Sequence, residues 1–250
     1  MIASRHRVEP APGQSRDIVL VVDDSPETLS FLTEAIEGSG STVLVAVDGE
    51  GALALIDRVT PDLILLDAVM PGIGGFETCR RLKRIRHLAH IPVIFMTGLS
   101  DTEHIVKGLE AGGVDYLTKP IVVDELMARM RVHLANARSS EAARSALDAA
   151  GRFLLSVSAD GRVRWTTPQA AKLLQTLAAA VDDSEFHLPA DIVRWLTKAA
   201  KGESEPYVWI RGESGLELSY VGRLSSDEHL LRLAKAASED PATLLRQHFA

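Results

Sequence analysis

The sequence predicts an α/β fold: a doubly wound, five-stranded parallel sheet, then a long linker helix, then a small α+β domain. Three observations lead there. Between Asp17 and Pro120, short apolar runs alternate with amphipathic helical phrases, the pattern of β-α-β units with right-handed crossovers. Neither Pro nor Gly interrupts the chain from Val122 to Gly151, so a single helix can span that stretch. Past Gly151 the pattern becomes strand, Asp160-Gly161, strand, helix, and Asp-Gly between apolar runs is a strong hairpin signal. With 250 residues, the chain has the length for two compact domains of roughly 100–150 residues each.

Taken in order, residues 1–16 read as a loose tail, basic and without the apolar core of a signal peptide. The first strand, DIVLVVDD, ends on Asp23 and Asp24. Ser25 and Pro26 then supply an N-cap and the residue favoured at the first helical position, and Gly38 and Gly40 close that helix. TVLVAV is the second strand and EGALALIDRV the second helix. The third strand, within DLILLDAVMPGIGG (62–75), is apolar throughout, as strands buried on both faces of a parallel sheet are. GGFETCRRLKRI is the third helix and IPVIFMTG the fourth strand. Ser100 with Glu103 has the spacing of a capping box, and VDYLTKP is the fifth and shortest strand.

Composition excludes several classes. Hydrophobic residues make up 46% and charged residues 24% of the chain, as in ordinary globular proteins. A formal net charge of −7 argues against a broad nucleic-acid surface. The one cysteine, Cys79, has no internal disulfide partner, so a cytoplasmic location is expected. No stretch reaches the ~20 apolar residues that span a bilayer.

Parallel strands all point the same way, so Asp23, Asp24, Asp67, Thr97 and Lys119 converge on one rim, where open α/β sheets place their ligands. Three crowded carboxylates repel one another, and a hard divalent cation relieves this. Mg2+ suits a site of one or two carboxylates, waters and a phosphate. In this reading Asp23 and Asp24 hold the metal, and Asp67 gives it one oxygen while the other attacks phosphorus. Lys119 meets a phosphoryl oxygen as a point charge, and Thr97 donates a hydrogen bond to another. Gly72, Gly74 and Gly75 do not make a dinucleotide fingerprint, because such a loop follows the first strand of its unit, where Asp-Asp stands here.

Residues 17 to about 136 resemble the receiver domain of two-component response regulators. The resemblance rests on Asp23-Asp24, on Asp67 with its M-P-G turn and Gly75, on Thr97 with Gly98, and on Lys119-Pro120. It implies a CheY-like, flavodoxin-like strand order 2-1-3-4-5, phosphorylation of Asp67 by a sensor histidine kinase, and a metal site completed by the backbone carbonyl of Val69. It also implies a cis Lys119-Pro120 peptide and a switch role for Tyr116 behind Thr97, without turnover of an external substrate. The rival reading is a Mg-dependent aspartate-nucleophile phosphohydrolase. Such enzymes usually carry a second acid two residues past the nucleophile, where this chain has Val69.

Along this reading, residues 17–122 are the receiver domain and 123–150 the long helix, which either protrudes as a linker or pairs with a second copy in a homodimer. His133 reads as a solvated helix residue, since MRVHLANA lacks the acid and proline that usually follow a phosphoaccepting histidine. Residues 151–237 resemble a small PAS-like domain, best in the opening hairpin and the helix from Gln169. Trp165, Trp195 and Trp209 line either a core or a ligand pocket, with core packing favoured and no cofactor expected. DPATLLRQHFA, in 238–250, is similar to the segment before a LuxR-type helix-turn-helix. That implies DNA binding only through a domain beyond this chain, the alternative being a regulator that works by protein contacts alone.

Overall fold

The structure is a computed structural model that describes residues 16–85, 88–98, 102–177, 187–203, 205–211 and 214–236. The expected Ser100 capping box and the 238–250 phrase, with most of the N-terminal tail, lie outside these residues. The chain divides into two units, Met1–Arg138 and Ser139–Ala250.

The first unit has strands β1 (Ile18–Val22), β2 (Thr42–Ala46), β3 (Leu63–Asp67), β4 (Val93–Thr97) and β5 (Asp115–Thr118). All pair in parallel, in the order β2-β1-β3-β4-β5. The intervening helices are α1 (Pro26–Gly38), α2 (Gly49–Ile56), α3 (Gly74–Arg84) and α4 (Thr102–Glu110), and α5 (Val123–Ala149) follows. The strand order is the one the resemblance implied.

The period-two alternation of the strands splits their side chains into two cores. Leu20, Val22, Ile64, Leu66, Val93 and Phe95 pack with Ala52 and Ile56 of α2 and Cys79 and Leu82 of α3. Val19, Val21, Leu63, Leu65, Ile94 and Met96 pack with Leu29, Leu32 and Ile36 of α1 and Leu126, Met130 and Leu134 of α5. All five residues of β3 are buried, so the strand that carries Asp67 is clamped on both faces.

Helix ends set the loops around the strand tips. Ser25 caps α1 by accepting the Thr28 N–H at 3.2 Å, and Pro26 opens the helix as expected. Asp48 caps α2 through the Gly51 N–H at 2.7 Å, a cap the sequence reading passed over. The Lys119-Pro120 peptide is cis. Helix α5 runs unbroken through 27 residues, but its buried positions are confined to Leu126, Met130 and Leu134.

The second unit holds an antiparallel sheet in the order β7-β6-β10-β9-β8. Its strands are β6 (Phe153–Ser158), β7 (Val163–Thr166), β8 (Tyr207–Arg211), β9 (Ser214–Ser225) and β10 (Glu228–Lys235), with α6 (Pro168–Leu177) and α7 (Ala190–Ala199) between β7 and β8. The Asp160-Gly161 turn joins β6 to β7, and Gly161 takes the left-handed conformation, φ +90°, that glycine adopts at no steric cost. One core gathers Leu155, Leu218 and Leu231 of the sheet with Leu174 of α6 and Ile192 and Leu196 of α7. Trp195 is buried in this core, its indole N–H donating to the Glu205 carbonyl at 2.8 Å, and Trp209 packs against it. Trp165 instead lies under the Arg144 guanidinium, 5.5 Å from the ring centre.

Candidate functional site

At the carboxyl ends of β1, β3 and β5 the expected residues meet. One carboxylate oxygen each from Asp23, Asp24 and Asp67 lies within 4.8 Å of the other two. The Lys119 ammonium bridges two of them, donating at 2.7 Å to Asp23 Oδ2 and at 2.6 Å to Asp67 Oδ2. Asp23 is fully buried and Asp67 nearly so, whereas Asp24 is exposed. The remaining oxygens of the buried pair are held by backbone: Asp23 Oδ1 accepts the Ser25 N–H at 2.9 Å, and Asp67 Oδ1 accepts the Val69 N–H at 3.0 Å. Ser25 therefore both caps α1 and orients Asp23, a double duty that the sequence reading assigned only in half.

Burial pushes the Asp67 carboxyl above the usual carboxylate range, only partly offset by the hydrogen bonds from Lys119 and the Val69 N–H; the Asp23 charge adds to the rise. For Lys119 burial acts in the opposite sense, but its hydrogen bonds to Asp23 and Asp67 outweigh it and hold the ammonium above its ordinary value. The lysine charge opposes the pull of burial toward the neutral form of Asp67.

Gly75, in the first turn of α3, fixes the floor of the site. A Cβ there would lie 2.0 Å from the Asp67 carbonyl oxygen and 2.9 Å from the Ala68 Cα. Only glycine lets α3 approach the strand end this closely.

Thr97, buried at the tip of β4, stands one residue beyond Met96, the register partner of Asp67. Its neighbour across β5 is Thr118, and its carbonyl accepts the Lys119 N–H at 2.8 Å. Tyr116 is not among the acids: it pairs with Phe95 further back in the sheet and is 37% exposed. Between Thr97 and Tyr116 lies a cavity of about 10 Å3, lined also by Phe76, Phe95 and Ile105. Val69 occupies the loop after Asp67 and is exposed.

His133 differs from its expected solvated state. It is half-buried, with Nε2 at 2.9 Å from Asp115 Oδ2. Arg129 joins them, one guanidinium nitrogen at 2.8 Å from each Asp115 oxygen. Glu125, Arg129 and His133 recur every four residues along one face of α5, a signal visible in the sequence.

Hard oxygen donors from three acids at a sheet rim suit a divalent cation of the Mg2+ or Ca2+ type, and a lysine beside them suits an anionic ligand. Residues 19–131 match the response regulator receiver domain. This segment is a receiver domain. Two-component phosphoacceptor chemistry is the function of such a domain. The receiver is 40% identical over 116 residues to the DNA-binding dual master transcriptional regulator RpaA of Synechocystis, covering 46% of this chain and 48% of that protein. It is 40% identical over 119 residues to the DNA-binding response regulator MtrA of Mycolicibacterium smegmatis, covering 48% and 51%. A probable cyclic di-GMP phosphodiesterase of Vibrio cholerae is 39% identical over 127 residues, covering 51% of this chain but 29% of that protein. The chain thus matches about half or less of the length of these relatives. Among the described residues, no helix is long and apolar enough to cross a membrane.

Proposed function

We propose that this chain is a cytoplasmic response regulator that accepts a phosphoryl group on Asp67 from a sensor histidine kinase and passes the change to an output that controls transcription. The observation that carries this reading is the Lys119 bridge between Asp23 and Asp67 inside a buried acid cluster. A carboxylate oxygen of Asp67 attacks phosphorus, the bond to the donor histidine nitrogen breaks, and that nitrogen keeps the electron pair. Lys119 then moves its charge from the two acids to the phosphoryl oxygens, and Thr97 donates to another of them. Asp23, Asp24, Asp67 and the Val69 carbonyl would hold Mg2+, which supplies neutralising charge for the transfer. Val69 at the position of a hydrolase's second acid favours a stable phosphoacceptor over a phosphohydrolase.

The cavity behind Thr97 supports a switch. It has room for about one water, too little for the Tyr116 ring, so the ring enters only when Thr97 moves toward the phosphoryl group. Inverting a two-state element from 1:99 to 99:1 takes ~5.5 kcal/mol, and two charge-assisted hydrogen bonds at ~1.5–3 kcal/mol each come close. Leu109, Val114, Tyr116 and Val122 are exposed apolar residues on or beside α4, β5 and α5, a surface suited to a homodimer formed on phosphorylation. The second unit reads as a PAS-like relay: its first strand lies beside its last and both helices sit between the second and third strands.

Incubation with radiolabelled acetyl phosphate and Mg2+ tests the assignment. Label is expected on the wild type and on Thr97→Ala, but not on Asp67→Asn. Thr97→Ala should also lose the dimerisation that beryllofluoride and Mg2+ induce in the wild type, read by light scattering. Stable label on Asp67→Asn would remove Asp67 as the acceptor, and sustained hydrolysis of phosphate esters would favour the phosphohydrolase.

A further inference from the structure

The second unit contains a cleft that the phosphoacceptor chemistry does not use. It measures about 660 Å3, within the ~300–1,000 Å3 range of small-molecule sites. Phe153, Leu173 and Leu233 give it apolar walls, and Gln169, Arg232 and Lys235 complete them. An adjoining lobe of about 440 Å3 shares Phe153 and Gln169 and reaches Asp148 in the last turn of α5. None of the three tryptophans lines either lobe.

The charges in the cleft are unequal in their commitments. Asp148 is engaged at the start of α6, its two oxygens 3.0 and 3.1 Å from the Gln169 N–H. Arg232 and Lys235 are exposed, and neither has an ion-pair partner among the described residues. The pleat of β10 puts Lys235 on the face of Leu233 and Arg232 on the opposite one, so the cleft offers apolar surface beside one uncompensated cation, Lys235. Apolar walls alone would take any greasy molecule, and a cation alone any anion; together they select a ligand that carries both features.

We propose that this cleft binds an amphipathic anion, a small molecule with an apolar body and a carboxylate or similar acidic group, the body against Phe153, Leu173 and Leu233 and the acid toward Lys235. The site is independent of Asp67 chemistry.

The full chain, labelled at leucine methyl groups, is titrated with octanoate, octanol, octylammonium and acetate and followed by NMR. Octanoate is expected to shift the Leu173 and Leu233 methyls saturably, at least about tenfold more tightly than the other three. Lys235→Glu, at an exposed position, should weaken octanoate by about tenfold or more and strengthen octylammonium, whereas Arg232→Glu, on the opposite face of β10, should change neither. Leu173→Trp, which fills the cleft, should abolish the shifts. Absence of saturable shifts at these methyls overturns the proposal. So does equal binding of octanol or octylammonium, or octanoate binding that survives reversal of the Lys235 charge.

Discussion

At Asp67 the sequence supplies an acid and the fold supplies its environment. An Asp at a strand end is a common cap, and what separates this one is a set of contacts made by residues far along the chain: Lys119 at 2.6 Å, the Asp23 charge beside it, and the close approach of Gly75. The atoms that a Gly75 side chain would meet are backbone, not the end of a flexible side chain, so they cannot rotate away. Gly75→Ala should therefore destabilise the receiver by ~1–3 kcal/mol, in the range of overpacked cores, and slow acetyl-phosphate labelling by displacing the Asp67 carbonyl. At Gly98 an added Cβ meets nothing within 4 Å, so Gly98→Ala should leave stability unchanged. Urea unfolding of both variants, with labelling rates, checks the pair; equal behaviour would remove the steric account. The convergence of Asp23, Asp24, Asp67 and Lys119 was legible in the sequence because parallel topology brings strand ends together. The Gly75 contact was not, since it depends on the distance between α3 and β3, which no local pattern encodes.

Among the elements, α5 shows how far periodicity reads and where it stops. In the sequence Leu126, Met130, Leu134, Ala137 and Leu147 lie on drifting but related faces, and of these the first three are the helix's buried positions while Ala137 and Leu147 are only half-buried. The buried stripe does not reveal what its flank touches, and there Asp115 of β5 takes both Arg129 and His133. Burial by itself would raise the Asp115 pKa, but the hydrogen bonds from His133 and Arg129 outweigh it and bring the carboxyl below its ordinary value of 3.8. A depressed carboxylate binds fewer protons folded than unfolded, so its contribution to stability is complete above that ordinary value and is lost as pH falls through the folded one. The stability gap between wild type and Asp115→Asn should therefore be widest near neutral pH and narrow below about pH 4. Chemical unfolding of both proteins at pH 7 and at pH 3.5 measures it. A gap that stays constant with pH would mean that Asp115 acts through shape and not charge.

On the scale of the whole molecule, the division that matters falls inside a helix. Without Pro or Gly between Val122 and Gly151, the sequence offers no mark of a boundary, and the two units part between Arg138 and Ser139 while α5 continues through. What distinguishes them is that each gathers its own core: Leu63, Leu65, Ile94 and Met96 with α1 and α5 in one, Leu155, Leu218 and Leu231 with α6 and α7 in the other. Separate cores unfold as separate cooperative systems unless a ligand or interface joins them. On the proposed assignment beryllofluoride with Mg2+ binds at the Asp67 rim, so its binding energy should stabilise the first unit alone. At a hundredfold excess over the dissociation constant that energy is ~2.7 kcal/mol, equivalent to a rise of roughly 8–15 °C for a unit of this size. Differential scanning calorimetry of the full chain should then show two transitions, of which one moves on adding beryllofluoride and Mg2+ and neither moves in Asp67→Asn. A single transition, or a matched shift of both, would instead make α5 a rigid coupler that binds the two cores into one cooperative unit, and the phosphoryl signal would reach the second domain as stability as well as shape.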